Sequence, residues 1–164
     1  MAVQPSDIAF RLSGGAGNSS AAASLGGAKS SSIVSGSLFD TVQPSEASGG
    51  DIEYRCIYAH NGHASLTAQN VVAWLPVNTP STSTVLEIGV GTSALNGVEQ
   101  TVANENTAPA GVAFGPAATY AAGVALGDIP PGQHRALWLR RTVTAGASAM
   151  NDGATLRISL DTAP

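Results

Sequence analysis

Gly89-Val90-Gly91-Thr92-Ser93-Ala94 fits G-x-G-x-x-G/A, the spacing that lets a backbone approach a pyrophosphate at a helix N-terminus. That chemistry needs a helix behind the loop and an acidic ribose ligand about 20 residues on. Asn96-Gly97 breaks the chain where the helix should propagate, and Thr107-Ala108-Pro109-Ala110 stands where the acid should be. A loop of small residues is the better reading. His60 and His63 are spaced as two metal ligands, with Asp51 or Glu53 as neighbours, but zinc needs a fuller set and His134 is distant in sequence. Asn104-Glu105-Asn106 and Asn151-Asp152-Gly153 resemble fragments of a calcium loop, without its regular oxygen spacing and closing bidentate acid. Loop polarity accounts for both. Nucleophilic catalysis has no G-x-S-x-G elbow to stand on, and Cys56 sits in an alternating strand, where a buried thiol is the default. The expectation is a chain that is not an enzyme, with no cofactor and no metal ligands. Arg140-Arg141 is the remaining pair of interest, because in a strand the two point to opposite faces and reach solvent, a neighbouring segment or a partner.

The elements that would carry these residues read as strands. Ile8, Phe10 and Leu12 share a face at strand period, on a short strand that pairs either with the body or with a neighbouring subunit. Tyr54, Cys56 and Tyr58 alternate with Glu53, Arg55 and Ile57. Further runs are Gln69 to Leu75, Thr84 to Val90, a short Gly111 to Phe114, Gln133 to Val143, and the closing Leu156, Ile158 and Leu160. Turns are expected at Pro130-Pro131-Gly132 and Asn151-Asp152-Gly153. Trp74 and Trp138 read as core anchors whose indole N–H groups are bonded. Asn61-Gly62 suits a two-residue hairpin, but that register would set the Tyr54, Cys56, Tyr58 face against a polar row. A longer loop over about residues 61 to 67 avoids the mismatch and frees the next strand to change sheets. No segment has an amphipathic helical stripe, so the class is all-β, an antiparallel β-sandwich of Ig-like or jelly-roll type.

The chain divides at about residue 50. Of the 25 residues from 13 to 37, 20 are Gly, Ala or Ser, too few apolar groups to offset the entropy of ordering alone. Residues 1–50 are therefore expected to form an extended N-terminal arm with one short strand, and residues 51–164 the sandwich. Charged residues are 11% of the chain, against about 25% in an average soluble domain. Seven basic residues against eleven acidic ones, a net charge of −4, make a poor nucleic-acid surface. No apolar run is long enough to cross a membrane, no secretory signal opens the chain, and a single cysteine allows no internal disulfide. A small, neutral surface of this kind suits a subunit packed against neighbours.

Several stretches resemble small virion structural proteins of tailed bacteriophages. They are Phe10-Arg11-Leu12-Ser13-Gly14-Gly15 with Ser24-Leu25-Gly26-Gly27-Ala28, and Tyr54-Arg55-Cys56-Ile57-Tyr58 with Asn61. Gln69-Asn70 leading to Trp74-Leu75 is another. The most distinctive runs from Gly127-Asp128-Ile129-Pro130-Pro131-Gly132-Gln133 through Trp138-Leu139-Arg140-Arg141-Thr142-Val143 to Ala145-Gly146-Ala147. The resemblance implies a β-sandwich virion component and transfers no catalytic residue. The expected function is a capsid decoration or cement protein, made in the bacterial host cytoplasm and resident in the virion. It would bind the major capsid protein and copies of itself, and neither nucleic acid nor membrane. Phe10, Arg11, Leu12, Arg140 and Arg141 are the expected contact residues. A neck, tail or baseplate component is the first alternative, and a carbohydrate-binding module the second.

Overall fold

The computed structural model describes residues 2–147 and 152–161. The chain is mostly β, with antiparallel sheets and one short helix among the described residues. The strands are β1 (Ile8–Leu12), β2 (Gly26–Gly27), β3 (Asp51–Asn61), β4 (Ala68–Val77), β5 (Thr84–Val90), β6 (Glu99–Thr101), β7 (Val124–Ile129), β8 (His134–Val143) and β9 (Thr155–Asp161), with α1 at Pro44–Gly49. A four-stranded sheet runs β1-β3-β8-β5, a three-stranded sheet β7-β4-β9, and β2 and β6 form a small ribbon.

β3 and β8 form the spine of the larger sheet, pairing from Asp51↔Val143 to His60↔His134. Their alternation buries both faces. Ile57, Ala59, Leu137 and Leu139 point inward against Val71, Ala73, Leu75, Leu126, Ile129 and Ile158 of the smaller sheet. Tyr54, Cys56, Tyr58, Ala136 and Trp138 point the other way, under Leu25, Val102, Val112 and Phe114 from the loops. The larger sheet is thus a middle layer, with a sheet on one side and knitted loops on the other.

The connection after Asn61 is the long one. β3 ends there, β4 starts at Ala68, and the chain changes sheets between them. β1 pairs with β3 of its own chain, Ile8↔Asn61 to Leu12↔Ile57, and the low-complexity stretch folds back along it. Ser30 N–H donates to Leu12 O (2.8 Å), Leu12 N–H to Ser32 O (3.0 Å) and Val34 N–H to Phe10 O (2.8 Å). Gly111 to Phe114 is not a strand; Val112 and Phe114 pack as coil on the outer face of the sheet. Gly89 permits this, since a Cβ there would collide with the carbonyl of Ala113. The turn expected at Asn151-Asp152-Gly153 begins outside the described residues.

Candidate functional site

The loop at Gly89 to Ala94 carries its own anion. Ser93 N–H (2.8 Å) and the Thr92 hydroxyl (3.0 Å) both donate to the carboxylate of Glu99, which is buried. Burial alone would raise that carboxyl, but the bonds from Ser93 and Thr92 bring it down to about 2. The donors that would meet a phosphate are therefore engaged, and no helix follows the loop. His60 and His134 face each other across β3 and β8, and burial lowers the pKa of both. His63 Nδ1 accepts from the N–H groups of Ser65 (3.2 Å) and Leu66 (3.0 Å), which closes the β3–β4 loop. Burial pushes the Cys56 thiol up, the opposite of what a nucleophile needs.

Glu105 and Asn106 brace the edge of β3 that β1 leaves uncovered. Glu105 pairs with Arg55 and accepts Tyr54 N–H at its carbonyl (2.7 Å). The Asn106 amide donates to Asp51 Oδ1 (2.7 Å) and Ile52 O (3.0 Å). Asp152 accepts the N–H of Ser81 (3.1 Å).

The two adjacent arginines reach neighbouring segments on opposite faces. Arg141, on the inner face, lies directly across from Glu53 and pairs with it; both are buried. Its fork also reaches Asp40, through the carbonyl (2.5 Å) and the carboxylate (3.1 Å), and its guanidinium lies 5.0 Å from the ring of Phe39. Arg55 stacks on the same ring at 5.4 Å. Arg140, on the outer face, pairs with Glu87 directly opposite and lies 4.9 Å over Phe114. Of the other expected contact residues, Leu12 is buried, Phe10 packs against the inter-sheet core, and Arg11 donates to Ser31 O. Phe10, Arg11 and Leu12 sit together on β1, at a distance in the sheet from the β8 pair at Arg140 and Arg141.

Sequence reasoning missed Asp40, Phe39 and Glu53 as one network with Arg141. The signal was present in Asp51, Glu53 and Arg55, charges at period two on the strand face that continues into Ile57 and Ala59. Trp138 is fully buried as expected, but among the described residues its indole N–H makes no hydrogen bond of good geometry, although it lies close enough to the Glu99 carboxylate to help stabilise its charge. Trp74 is not a core anchor. Val71, Ala73 and Leu75 take the inward positions of β4, which turns Trp74 outward, where its N–H bonds Ser159 (3.0 Å) and Arg157 covers its ring at 5.4 Å.

Two features describe the remaining surface. Every arginine is engaged within the chain, Arg135 by a bond to Ser93 O (2.9 Å) and the others as above. The outward side chains include Val98, Ile33 and Val77, all more than half exposed. The sheet edges also differ. The outer edge of β1 is bonded to residues 30–34, and that of β5 to the Asn78 amide and the backbone of Gly115. Among the described residues, no main-chain bond ties the outer edge of β7 or β9 to another segment. Comparison with family models, with curated proteins and with solved structures finds no match to this chain.

Proposed function

We propose that this chain is a non-enzymatic virion structural protein of the capsid decoration or cement type, which binds the outer surface of the major capsid shell and stabilises it. The observation that carries the reading is the internal use of all six arginines, which leaves a surface with almost no free positive charge on which aliphatic side chains such as Ile33, Val77 and Val98 are exposed. Such a surface loses little on desolvation and suits permanent packing among neighbours. The resemblance of the β3 and β8 stretches to phage virion proteins supplies the identity of those neighbours.

In this reading the packed sheets are a β-sandwich of Ig-like or jelly-roll type. Residues 31–50, none of which is buried, lie along the body through Val34, Leu38, Phe39 and Asp40, and their outward side supplies part of the contact with the shell. Contacts between copies form along β9, by strand addition to its open edge. Two antiparallel β9 strands centred on Ser159 would set Arg157 against the partner's Asp161, and Ile158 against the partner's Leu160. Each copy binds weakly, and repetition over the lattice supplies avidity.

Deleting the N-terminal segment would remove the buried Val3, Ile8 and Leu12 as well as any contact, so the test uses the full chain. Purified protein is mixed with capsids lacking it, sedimented, and quantified. Saturation at a fixed ratio to the major capsid protein is the expected result. Absence from shells together with binding to isolated tails would replace this reading with a neck or tail component.

A further inference from the structure

Two asparagines of the chain are followed by glycine, in Asn61-Gly62 and Asn96-Gly97. Such a pair carries its own reaction. The main-chain nitrogen of the glycine attacks the asparagine Cγ and loses its proton to solvent. The new C–N bond closes a succinimide, and the side-chain nitrogen takes up a proton and leaves as ammonia. Water then adds to either ring carbonyl and opens the imide to aspartate or isoaspartate. Glycine favours the step because no Cβ hinders its nitrogen and its backbone turns freely. The fold decides whether the two atoms can meet.

At Asn61 it keeps them apart. The residue is fully buried at the end of β3. Its carboxamide donates to Leu66 O (2.9 Å) and Ile129 O (2.8 Å) and accepts the N–H of His63 (2.9 Å). The attacking nitrogen is engaged as well, since Gly62 N–H donates to Asp7 O (2.8 Å). Asn61 N–H donates to Gln133 O, and its carbonyl accepts Gly132 N–H, both at 2.9 Å. Reaction there requires the end of β3, the N-terminal segment and the β7–β8 turn to come apart together.

The side chain of Asn96 has none of these restraints. The residue is exposed, and its carboxamide makes no hydrogen bond among the described residues. It holds φ 57°, a conformation asparagine adopts more readily than most residues. Gly97 N–H closes a turn on Ala94 O (2.9 Å), at the surface between exposed Leu95 and Val98. An exposed turn bond of this kind opens far more readily than the end of a paired strand. The bond from Asn96 N–H to His134 O (2.8 Å) lies outside the ring that forms, and so can stay in place. The turn also requires its glycine, because a Cβ on residue 97 would stand 2.9 Å from the Ala94 carbonyl oxygen.

We infer that Asn96 is a site of spontaneous deamidation in the folded protein, becoming aspartate and isoaspartate, while Asn61 is preserved. Water is the only co-reactant. The product adds negative charge to a chain already at −4, on a loop whose exposed neighbours Leu95 and Val98 are aliphatic.

The test incubates the full chain in mildly alkaline buffer made with heavy-oxygen water, under native conditions and in parallel in urea. Peptide mapping by mass spectrometry follows both sites. In the native protein, labelled product should form at Asn96 at least about tenfold faster than at Asn61, and in urea the two should convert at similar rates. On anion exchange the native parent should drift to a later-eluting acidic form. Asn96→Asp, which keeps a residue suited to positive φ, should lose that drift. No product at Asn96 in the native protein, or native conversion as fast at Asn61, would overturn the inference. So would an undiminished acidic drift in Asn96→Asp.

Discussion

The two faces of the four-stranded sheet are buried by different means. The inner face meets another sheet, and its contacts are aliphatic: Ile57, Ile88, Leu137 and Leu139 against Val71, Leu75 and Ile129. The outer face meets loops, and its contacts are aromatic and hydrogen-bonded. The Tyr58 hydroxyl donates to Gly27 O (2.5 Å) and accepts Glu99 N–H (2.9 Å), Val102 N–H reaches Leu25 O (2.9 Å), and Ser13 Oγ accepts Gly26 N–H (3.0 Å). A sheet can cover another sheet with side chains alone, because its own main-chain groups are satisfied within it. Loops bring unpaired main-chain groups into the interior, and each must find a partner there. That is why the outer layer draws on Ser, Gly, Tyr and a buried Glu, while the inner layer is Val, Leu, Ile and Ala where it meets the other sheet and turns to the buried Glu53–Arg141 pair only at its end.

The adjacent arginines give the sharpest contrast between the faces. Arg141→Ala strands the buried Glu53 and should cost about 3–5 kcal/mol, read from urea unfolding midpoints. Acid is the next largest probe, and it acts on the outer layer. Glu99 is held at about 2, below the ordinary carboxylate value, so its stabilisation is full above about pH 4.5 and is lost as pH falls toward 2. The loss should be on the order of 3 kcal/mol across that window, and Glu99→Gln should flatten this part of the stability curve. His60 and His134, lowered by burial, should begin to cost stability earlier, as pH falls below about 6.5.

Tyr58→Phe leaves Gly27 O and Glu99 N–H without their shared partner, for an expected loss of about 1–3 kcal/mol by the same urea measurement. Arg140→Ala should be mildest, below about 1 kcal/mol, because its pair with Glu87 is partly solvated and screened. If Arg140→Ala and Arg141→Ala cost the same, the contrast between a buried ion pair and a partly solvated one is wrong.

The inner layer was legible in the sequence and the outer layer was not. Period-two alternation marked Ile8–Leu12 and Thr84–Val90 to the residue, and located β3, β4 and β8 to within a few. It also excluded a tight hairpin at Asn61-Gly62 on the polarity of the facing row. It failed where strands lack alternation. β7 carries Gly127 at φ 75° and exposed Asp128, and β6 is three polar residues chosen by position rather than pattern. Residues 13–27 show no periodicity because their work is done by main-chain groups and short hydroxyls, which any Gly/Ser run contains. The carboxylate cluster of Glu46, Asp51 and Glu53 stayed hidden for a related reason. Asp51 and Glu53 were visible as strand charges, but Glu46 joins them only through the turn at Gly50.

The central claim is that the outer loop layer belongs to the folded body of the free protein. Amide hydrogen exchange on the isolated chain tests it most directly. The N–H groups of Ser30, Val34, Cys56 and Val102, all bonded across this layer or along β1, should exchange slowly, within about an order of magnitude of those in β8. Exchange of residues 13–34 at unfolded-chain rates, with β8 still protected, would contradict the account and make the whole N-terminal segment an arm that orders only on docking.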